Sequence, residues 1–407
     1  MTEIWLGSLV FVGIVLVLVV LVLAARAVLM PAGEVTIRVN GRHDIAAPLG
    51  GKLLVALADG GVTIPASCGG AGSCGQCRVR VTEGGGAAIA TEEALLSRAD
   101  IRAGVRLACQ VSLRGDMAVA LPEGLLSAQQ WTCTVVSSRT VAPLIREVVL
   151  ALPDDADFRF TPGAFVQVTA PAYALRFADY DIAPEHQAAW EAMGLRALAA
   201  FGNAATSRAY SIANTPENGT GCIVLLIRLA LPPPNRPGTP PGVVSSWLFG
   251  VRAGDVVSLT GPFGSFAAQA TGREMLFIGG GVGMAPLRAI IADELLVKRT
   301  PRKISFWYGA RSRVDLFYED EFDRLQADHP NFSWTVALSD PAEGDGWQGE
   351  TGFVHEVVLR NYLAEHPAPE ACDYYLCGPP MMIRAVLAML DDLGVDADHI
   401  FNDDFGG

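Results

Sequence analysis

The sequence predicts a multidomain protein in four parts: an N-terminal transmembrane helix, a small α+β domain, an antiparallel β-barrel, and an α/β domain on a parallel sheet. Three observations carry the division. A long uncharged apolar run opens the chain. Three cysteines spaced by glycines follow near residue 70. From Glu274 onward, short β-type runs between Gly/Pro turns give way to strands alternating with helical stretches. A chain of 407 residues has room for roughly two to four domains.

From Ile4 to Ala25 no residue is charged. As a helix this run spans about 33 Å, enough to cross a bilayer core. A cleaved signal peptide is the competing reading, and Ala24-Ala25-Arg26-Ala27 offers it small residues. Met1-Thr2-Glu3 carries no basic leader and the run exceeds a usual signal core, so an uncleaved anchor within residues 1–28 is expected. Glu3 before the span and Arg26 after it place the body on the cytoplasmic side by the positive-inside rule. The mean hydropathy of +0.32 agrees with a membrane segment. A net charge of −13 argues against a nucleic-acid partner, whose phosphates this surface repels.

The second part is expected over residues 34–127. Val35, Ile37 and Val39 alternate with polar residues as a strand, and Lys52-Leu53-Leu54-Val55-Ala56-Leu57 reads as a short helix closed by Gly60-Gly61. Then comes Ala66-Ser67-Cys68-Gly69-Gly70-Ala71-Gly72-Ser73-Cys74-Gly75-Gln76-Cys77-Arg78, with Cys109 farther on. The spacing C-x5-C-x2-C with a distant cysteine describes a loop around something held by four thiolates. Glycines let the backbone adopt positive φ and turn N–H groups inward toward sulfur. A [2Fe-2S] cluster on Cys68, Cys74, Cys77 and Cys109 is expected, on a spacing one residue longer than the plant-type C-x4-C-x2-C. Structural zinc is a second reading, although zinc usually takes two matched short pairs and only one C-x2-C is present. Disulfides are a third, disfavoured in a reducing compartment. A strand over Arg78–Val81, a Gly84-Gly85-Gly86 turn and a strand after Cys109 complete the domain. The six histidines show no H-x3-H or H-E-x-x-H spacing, so no second metal site is expected.

The third part, residues 130–270, carries β-type runs at Trp131–Val149, Phe165–Thr169, Cys222–Leu229 and Asp255–Leu259 between Gly/Pro turns, the pattern of an antiparallel barrel. Pro171 to Ser207 breaks this rhythm. Its length marks a functional loop more than a spacer, while Tyr173, Phe177, Tyr180, Trp190 and Phe201 offer rings to pack it onto the body. Leu231-Pro232-Pro233-Pro234 to Pro240-Pro241 is a second, stiff excursion. The fourth part, residues 271–407, alternates strands at Met275–Ile278, Ile304–Tyr308, Trp334–Leu338 and Tyr374–Cys377 with helices at Leu287–Leu296, Tyr318–Leu325, Val354–Leu363 and Met381–Leu393. Such a sheet binds ligands at the carboxyl ends of its strands.

Four motifs sit where chemistry is expected. In Arg208-Ala209-Tyr210-Ser211, at a barrel edge, the arginine can pair a phosphate, the tyrosine can stack on a flat ring and the serine can hydrogen-bond it. Gly242-Val243-Val244-Ser245 opens a helix whose first N–H groups, with Ser245, suit a pyrophosphate. Gly279-Gly280-Gly281-Val282-Gly283 lies between a strand and a helix, but Met284 stands where the third glycine of G-x-G-x-x-G belongs. Cys377-Gly378-Pro379-Pro380 ends a strand at the same edge, and Cys377 taken alone is equally well a small buried residue.

In this order the motifs resemble the ferredoxin–NAD(P)⁺ reductase superfamily over about residues 131–407, and the cysteine domain resembles a ferredoxin-like β-grasp module. The resemblance implies an FAD barrel, with FAD contacts at Arg208, Tyr210, Ser211, Gly242, Val243 and Ser245. It implies an NAD domain, with the nicotinamide nucleotide on Gly280, Gly281, Val282, Gly283, Met284, Ala285, Pro286, Gly378 and Pro379, and with Cys377 beside the hydride-transfer locus. Over the whole length, the anchor, the leading ferredoxin domain, the insertion and the ending Asp403-Asp404-Phe405-Gly406-Gly407 resemble the family of F subunits of Na⁺-translocating NADH:quinone reductases. In that family an aromatic near the C-terminus covers the flavin, and Phe405 matches it. The resemblance implies an NADH:quinone oxidoreductase subunit of a bacterial inner membrane. Electrons would pass from NADH through FAD to the [2Fe-2S] cluster and on to partner subunits that reduce ubiquinone and move sodium. The reductase component of a multicomponent oxygenase has the same layout and is the alternative; a non-enzymatic zinc-bearing scaffold is the other. Arg311 and Arg313 can meet a 2′-phosphate, so the residues alone leave NADH against NADPH open.

Overall fold

The computed structural model describes residues 11–21, 33–66, 68–73, 75–121, 129–216, 221–233, 235–236 and 238–403. Residues 11–21 of the expected anchor are helical, with Phe11, Leu16 and Leu18 exposed. Among the described residues no helix is long and apolar enough to cross a membrane, and the rest of the span from Ile4 to Ala25 lies outside them. Cys74 and Phe405 also lie outside the described residues. The described residues fall into two compact units, one within Met1–Ile64 and Gly70–Leu126, the other within Pro65–Gly69 and Ser127–Gly407.

In the first unit the alternation of Val35, Ile37 and Val39 becomes β1 (Glu34–Val39), with all three side chains buried. It forms a hairpin with β2 (His43–Pro48). The sequence reading missed β2, which buries only Ile45 and Ala47 and so offers two apolar positions to detect. Helix α1 (Leu53–Asp59) buries Leu53, Ala56 and Leu57. β3 (Arg78–Glu83), β4 (Val105–Leu107) and β5 (Met117–Ala120) complete a five-stranded sheet in the order β2-β1-β5-β3-β4. β5 runs parallel to β1 in its centre.

A buried ion pair fixes β4. Arg106 Nη2 lies 2.6 Å from Glu92 Oε2, with the two side chains 7% and 0% exposed. Arg106 Nη1 donates to the carbonyls of Gly85 (2.6 Å) and Gly86 (2.9 Å). Glu92 accepts the Leu107 N–H at 2.9 Å and the Ile89 N–H at 3.1 Å. Burial pushes the Glu92 pKa up, but the Arg106 guanidinium and the two N–H groups outweigh it and hold the carboxyl below its usual range.

The second unit begins with β6 (Gln129–Ala142), β7 (Ile145–Ala151) and β8 (Phe165–Ala170). The Pro171–Ser207 insertion folds as a ribbon of β9 (Tyr173–Arg176) and β10 (Ala199–Gly202) around helix α2 (Pro184–Ala192). β11 (Thr206–Ser211), β12 (Cys222–Arg228), helix α3 (Val243–Phe249) and β13 (Val256–Phe263) follow. The six long strands form one antiparallel sheet, β11-β8-β13-β6-β7-β12. Its edges meet through a bridge between Ile212 and Leu225, giving a half-closed barrel.

Insertion aromatics serve as packing. Phe177, Tyr180 and Trp190 are buried in the barrel core, and Trp190 stacks on Phe249 of α3 at 5.9 Å. Tyr173 donates its hydroxyl to Val243 O, and Tyr180 donates to Ser246 O at 2.8 Å. Phe201 differs from the others and is exposed. Arg146 of β7 reaches Asp181 O in the insertion and lies 4.9 Å over the Phe249 ring; burial draws its pKa down to about 10.

The remaining strands are β14 (Met275–Gly280), β15 (Ile304–Ala310), β16 (Phe332–Leu338), β17 (Glu350–Thr351), β18 (Asp373–Cys377) and β19 (Ile400–Asp403). They form a parallel sheet in the order β17-β16-β15-β14-β18-β19. Helices α4 (Met284–Ala292), α5 (Glu319–Asp328), α6 (Val354–Asn361) and α7 (Pro380–Asp392) cover it. α4 starts three residues earlier than the sequence pattern predicts, because the tight turn Gly281–Gly283 runs directly into it. Pro286 falls in its first turn, where N–H groups lack helical partners anyway. Beyond Ala292 the chain widens into a π-turn, Asp293–Val297, in which Lys298 Nζ meets Asp293 (2.8 Å) and Glu294 (2.7 Å).

Arg106→Ala leaves Glu92 as an uncompensated buried carboxylate and is expected to cost the first unit about 3–5 kcal/mol, read by denaturant titration. The depressed Glu92 pKa has a defined sign. Its stabilisation is complete above the ordinary carboxyl range and is lost as pH falls through the folded value, so this unit should weaken on acidification in wild type and lose that dependence in Glu92→Gln.

Candidate functional site

A cleft of about 340 Å³ opens between the half-barrel and the carboxyl edge of the parallel sheet. One wall is Arg208, Ala209, Tyr210 and Ser211 of β11 with Gly242, Val243, Val244 and Ser245 at the start of α3. The other is Gly280, Gly281, Val282 and Ala285 with Gly378, Pro379 and Pro380. Motifs scattered over about 170 residues of sequence thus converge on one volume, as the switch-point rule for such sheets requires.

The nucleotide stretch divides in two. Gly280, Gly281, Val282 and Ala285 face the cleft, while Gly283, Met284 and Pro286 are buried behind it. Gly283 has ordinary helical φ, so conformational freedom is not its role. A Cβ there would lie 2.0 Å from Cys377 O. The absence of a side chain is what lets the loop lie on the end of β18.

Cys377 is fully buried at that strand end, paired beside Gly279 and Asp403, and the cleft floor is formed by the three residues after it. Ser211 lies at the rim, its Oγ donating to Asp403 Oδ2 at 3.2 Å. Ser245 Oγ donates to Gly242 O (3.1 Å) and accepts from Ala230 N (3.2 Å), so its hydroxyl shapes the loop that a pyrophosphate would meet. Burial pushes the Tyr210 hydroxyl well above the ordinary phenol range against the opposing pull of Arg208, which leaves a neutral ring in the cleft wall.

Leu226, Arg228 and Ala230 also line the cleft and were missed. The sequence identified the strand of Leu226 and Arg228, but an alternation of two shows only that those two share a face, not which face meets the cleft; Ala230 lies beyond the strand's end. With Arg208, Arg228 gives the cleft two guanidinium groups suited to a dianionic pyrophosphate. A flat ring, two cations and helix N–H groups around one cleft fit a flavin dinucleotide, and the side-chain-free loop opposite fits a second nucleotide.

In the first unit, β3–β4 pairing carries Cys77 and Cys109 to one sheet end: Ala108 N donates to Cys77 O at 2.8 Å. Both cysteines are buried. Gln110 Nε2 donates to Cys109 Sγ at 3.3 Å. Gly70, at φ +93°, passes over Cys109, where a Cβ would touch the cysteine Cβ at 4.0 Å. Cys68, within the stretch Pro65–Gly69, is half-buried in a turn closed by Gly69 N to Ala66 O at 2.9 Å. Thiol ligands beside a positive-φ glycine loop, with an N–H directed at sulfur, fit an iron–sulfur cluster.

The parallel sheet also gathers Glu274, His366 and Cys372 within 4.8 Å of one another, a grouping that the histidine spacing did not show. His366 Nδ1 accepts from Ala368 N at 3.2 Å, so Nε2 carries the proton and faces Glu274 Oε2 at 3.3 Å. Lys303 Nζ lies 3.5 Å from the same carboxylate. A metal needs the Nε2 lone pair and would orphan these contacts, so the trio is a hydrogen-bonded lock.

Three family models match the chain: a 2Fe-2S iron-sulfur cluster binding domain over residues 37–114, an oxidoreductase FAD-binding domain over 194–267, and an oxidoreductase NAD-binding domain over 277–388. The chain is 47% identical to the F subunit of the Na(+)-translocating NADH-quinone reductase of Serratia proteamaculans over 407 residues, covering 100% of both. It belongs to the family of these F subunits. The Marinomonas sp. member is likewise 47% identical, covering 100% of this chain and 99% of the relative. Among solved structures, the Amycolatopsis cytochrome P450 reductase GcoB is similar at TM-score 0.62 and 27% identity, covering 91% of this chain and 98% of that one. A ferredoxin reductase in carbazole 1,9a-dioxygenase follows at TM-score 0.59 and 25% identity, covering 92% and 99%.

Gly283→Ala drives a methyl into the Cys377 carbonyl. It is expected to weaken the protein by about 1–3 kcal/mol and to raise the Kd for NADH while FAD content stays near wild type, measured by thermal melting, flavin absorbance and nucleotide titration.

Proposed function

We propose that the cleft is where NADH is oxidised, and that the chain is the electron-input subunit of a membrane redox complex. The observation that supports this most is the meeting of the β11 wall with Gly280–Val282 and Gly378–Pro380 around one cleft. FAD, a [2Fe-2S] cluster and NADH are the groups its family models and relatives call for. When bound, FAD and the cluster together turn a two-electron hydride into single electrons.

The chain's own residues bind and align. Arg208 and Arg228 hold the flavin pyrophosphate with the first N–H groups of α3, which Tyr173 and Tyr180 brace from behind. Tyr210 offers its ring to the flavin, and the glycine loop admits the nicotinamide nucleotide. Cys377 backs the floor, and Phe405 belongs over the flavin by resemblance to the family. Cys68, Cys74, Cys77 and Cys109 hold the cluster. For NADH over NADPH, support comes from the full-length similarity to NADH-quinone reductase subunits; Arg311, in an exposed pair with Asp340 at 3.1 Å, and Arg313, donating to Asp345 O at 2.8 Å, leave the choice open.

The same reading divides the chain into an anchor at 1–28, a ferredoxin-type domain at 34–127, an FAD domain at 130–270 and an NAD domain at 271–407. The uncharged run from Ile4 to Ala25 and full-length similarity to a component of a Na(+)-translocating reductase support a single span in a bacterial inner membrane, with the body cytoplasmic and with sodium moved by partner subunits. The likeness to the two oxygenase-system reductases favours an oxygenase component as second reading. Co-purification with a hydroxylase in place of multi-span membrane subunits would decide for it.

Cys68→Ala is expected to abolish the iron–sulfur absorbance and electron paramagnetic resonance signal while NADH still bleaches the flavin. Simultaneous loss of both would count against separate sites. Cys377→Ala is expected to slow flavin reduction at saturating NADH, with FAD retained; an unchanged stopped-flow rate would reduce Cys377 to packing.

A further inference from the structure

One polar group ties the two walls of the cleft together. Arg288 lies on α4, the helix that continues from the glycine loop. Its Nη1 donates to Ala213 O at 2.7 Å, two residues beyond Ser211 on the flavin wall. Ala213 is in turn bound to the barrel, its N donating to Val224 O at 2.8 Å. The other guanidinium nitrogens grip Glu321 of α5 in a fork, Nε to Oε1 at 2.7 Å and Nη2 to Oε2 at 2.9 Å. The same guanidinium lies 4.5 Å over the ring of Tyr318. Tyr318 immediately precedes α5, is held at φ +63°, and donates its hydroxyl to Glu147 of β7. Glu147 is 9% exposed and also meets Arg139 Nε at 2.7 Å.

Helix α4 carries one wall and the end of β11 the other, so Arg288–Ala213 and Tyr318–Glu147 bridge the elements behind the two walls, in addition to the Ser211–Asp403 bond at the cleft itself. The surrounding contact is apolar, with Val141, Ala142, Ile145 and Ala213 packed in one cluster with Met284, Leu287 and Phe317. Apolar contact of this kind resists separation but lets surfaces slide; directional bonds fix the register. Hydride transfer is steep in donor–acceptor distance, and a misplacement of about 1 Å can cost about 100-fold.

We propose that Arg288, Tyr318 and Glu147 form a latch that sets the spacing between the flavin wall and the nucleotide loop, and that they are positioning residues for hydride transfer. This rests on the cleft being the site of NADH oxidation. None of the three lines the cleft, so their effect is carried through α4 and β11.

The test uses the full-length protein loaded with FAD. Tyr318→Phe, Glu147→Leu and Arg288→Lys are compared with wild type by anaerobic stopped flow, with rates normalised to bound flavin so that loss of FAD does not enter. The long-wavelength charge-transfer band of the nicotinamide–flavin complex is recorded with them. Expected are a roughly tenfold fall in the flavin-reduction rate at saturating NADH, little change in KM, and a weakened charge-transfer band. Tyr318→Phe and Glu147→Leu in one chain should be no slower than Glu147→Leu alone, since the tyrosine bond is already lost there. Wild-type rate and band in all three variants would overturn the latch. A fall confined to KM, with the band intact, would also overturn it. Failure of wild-type flavin to respond to NADH would instead overturn the reading of the cleft.

Discussion

The nucleotide side of the cleft depends on a close approach of backbone to backbone. The loop after β14 lies directly on the end of β18, with the Gly283 Cα against the Cys377 carbonyl where a methyl would sit at 2.0 Å. Gly279 is close-packed against a side chain, since a Cβ there would meet the Leu287 side chain of α4 at 2.6 Å. These two approaches draw α4 down onto the sheet and open its first turn toward the cleft. They also explain why the chain can do without the third glycine of the familiar fingerprint. Met284 occupies that place but turns into the core, fully buried, and the tight packing of helix on sheet is met one residue earlier.

The barrel side is held differently, by side chains donating to carbonyls. Tyr173 and Tyr180 grip α3, Arg146 grips the insertion, and Trp190 Nε1 donates to Pro143 O at 2.6 Å. The insertion is thus a buttress behind the helix that lines the cleft. At the far end of the parallel sheet, Arg302 and Asp373 make a pair of 2.8 Å with side chains 8% and 0% exposed, and Arg302 also donates to Gln269 O at 2.9 Å. Like Arg106 with Glu92, this arginine reaches from a buried carboxylate to neighbouring carbonyls, so little of its donor capacity is left unmet. That pattern limits the desolvation penalty of a buried charge.

Rigidity and function meet where the two kinds of support join. The glycine loop is fixed by close packing and the barrel wall by hydrogen bonds, and Arg288 bonds from α4 to the end of that wall. Alignment of cofactors is what packed glycines and forked guanidinium bonds supply.

Local pattern was enough for β14, β15, β16 and β18 with their helices, for the β-type runs of the barrel, and for the iron–sulfur domain, but not for β17 and β19 or for the division of one barrel run into β6 and β7. Periodicity and spacing survive without knowledge of the fold. Pattern also placed Arg208, Tyr210, Ser211 and the glycine loop among residues that would meet. Other features emerged only from the folded chain. Gly283, Met284 and Pro286 turn away from the cleft, and Ser245 is committed to its own loop. Leu226, Arg228 and Ala230 line the cleft, and Glu274, His366 and Cys372 come together. β2 is as long as β1 but has only two buried residues, too few for periodicity to register. The physical reason is common to all of these. Spacing along a chain fixes which residues share a face, but which face is buried and what it meets depend on partners distant in sequence.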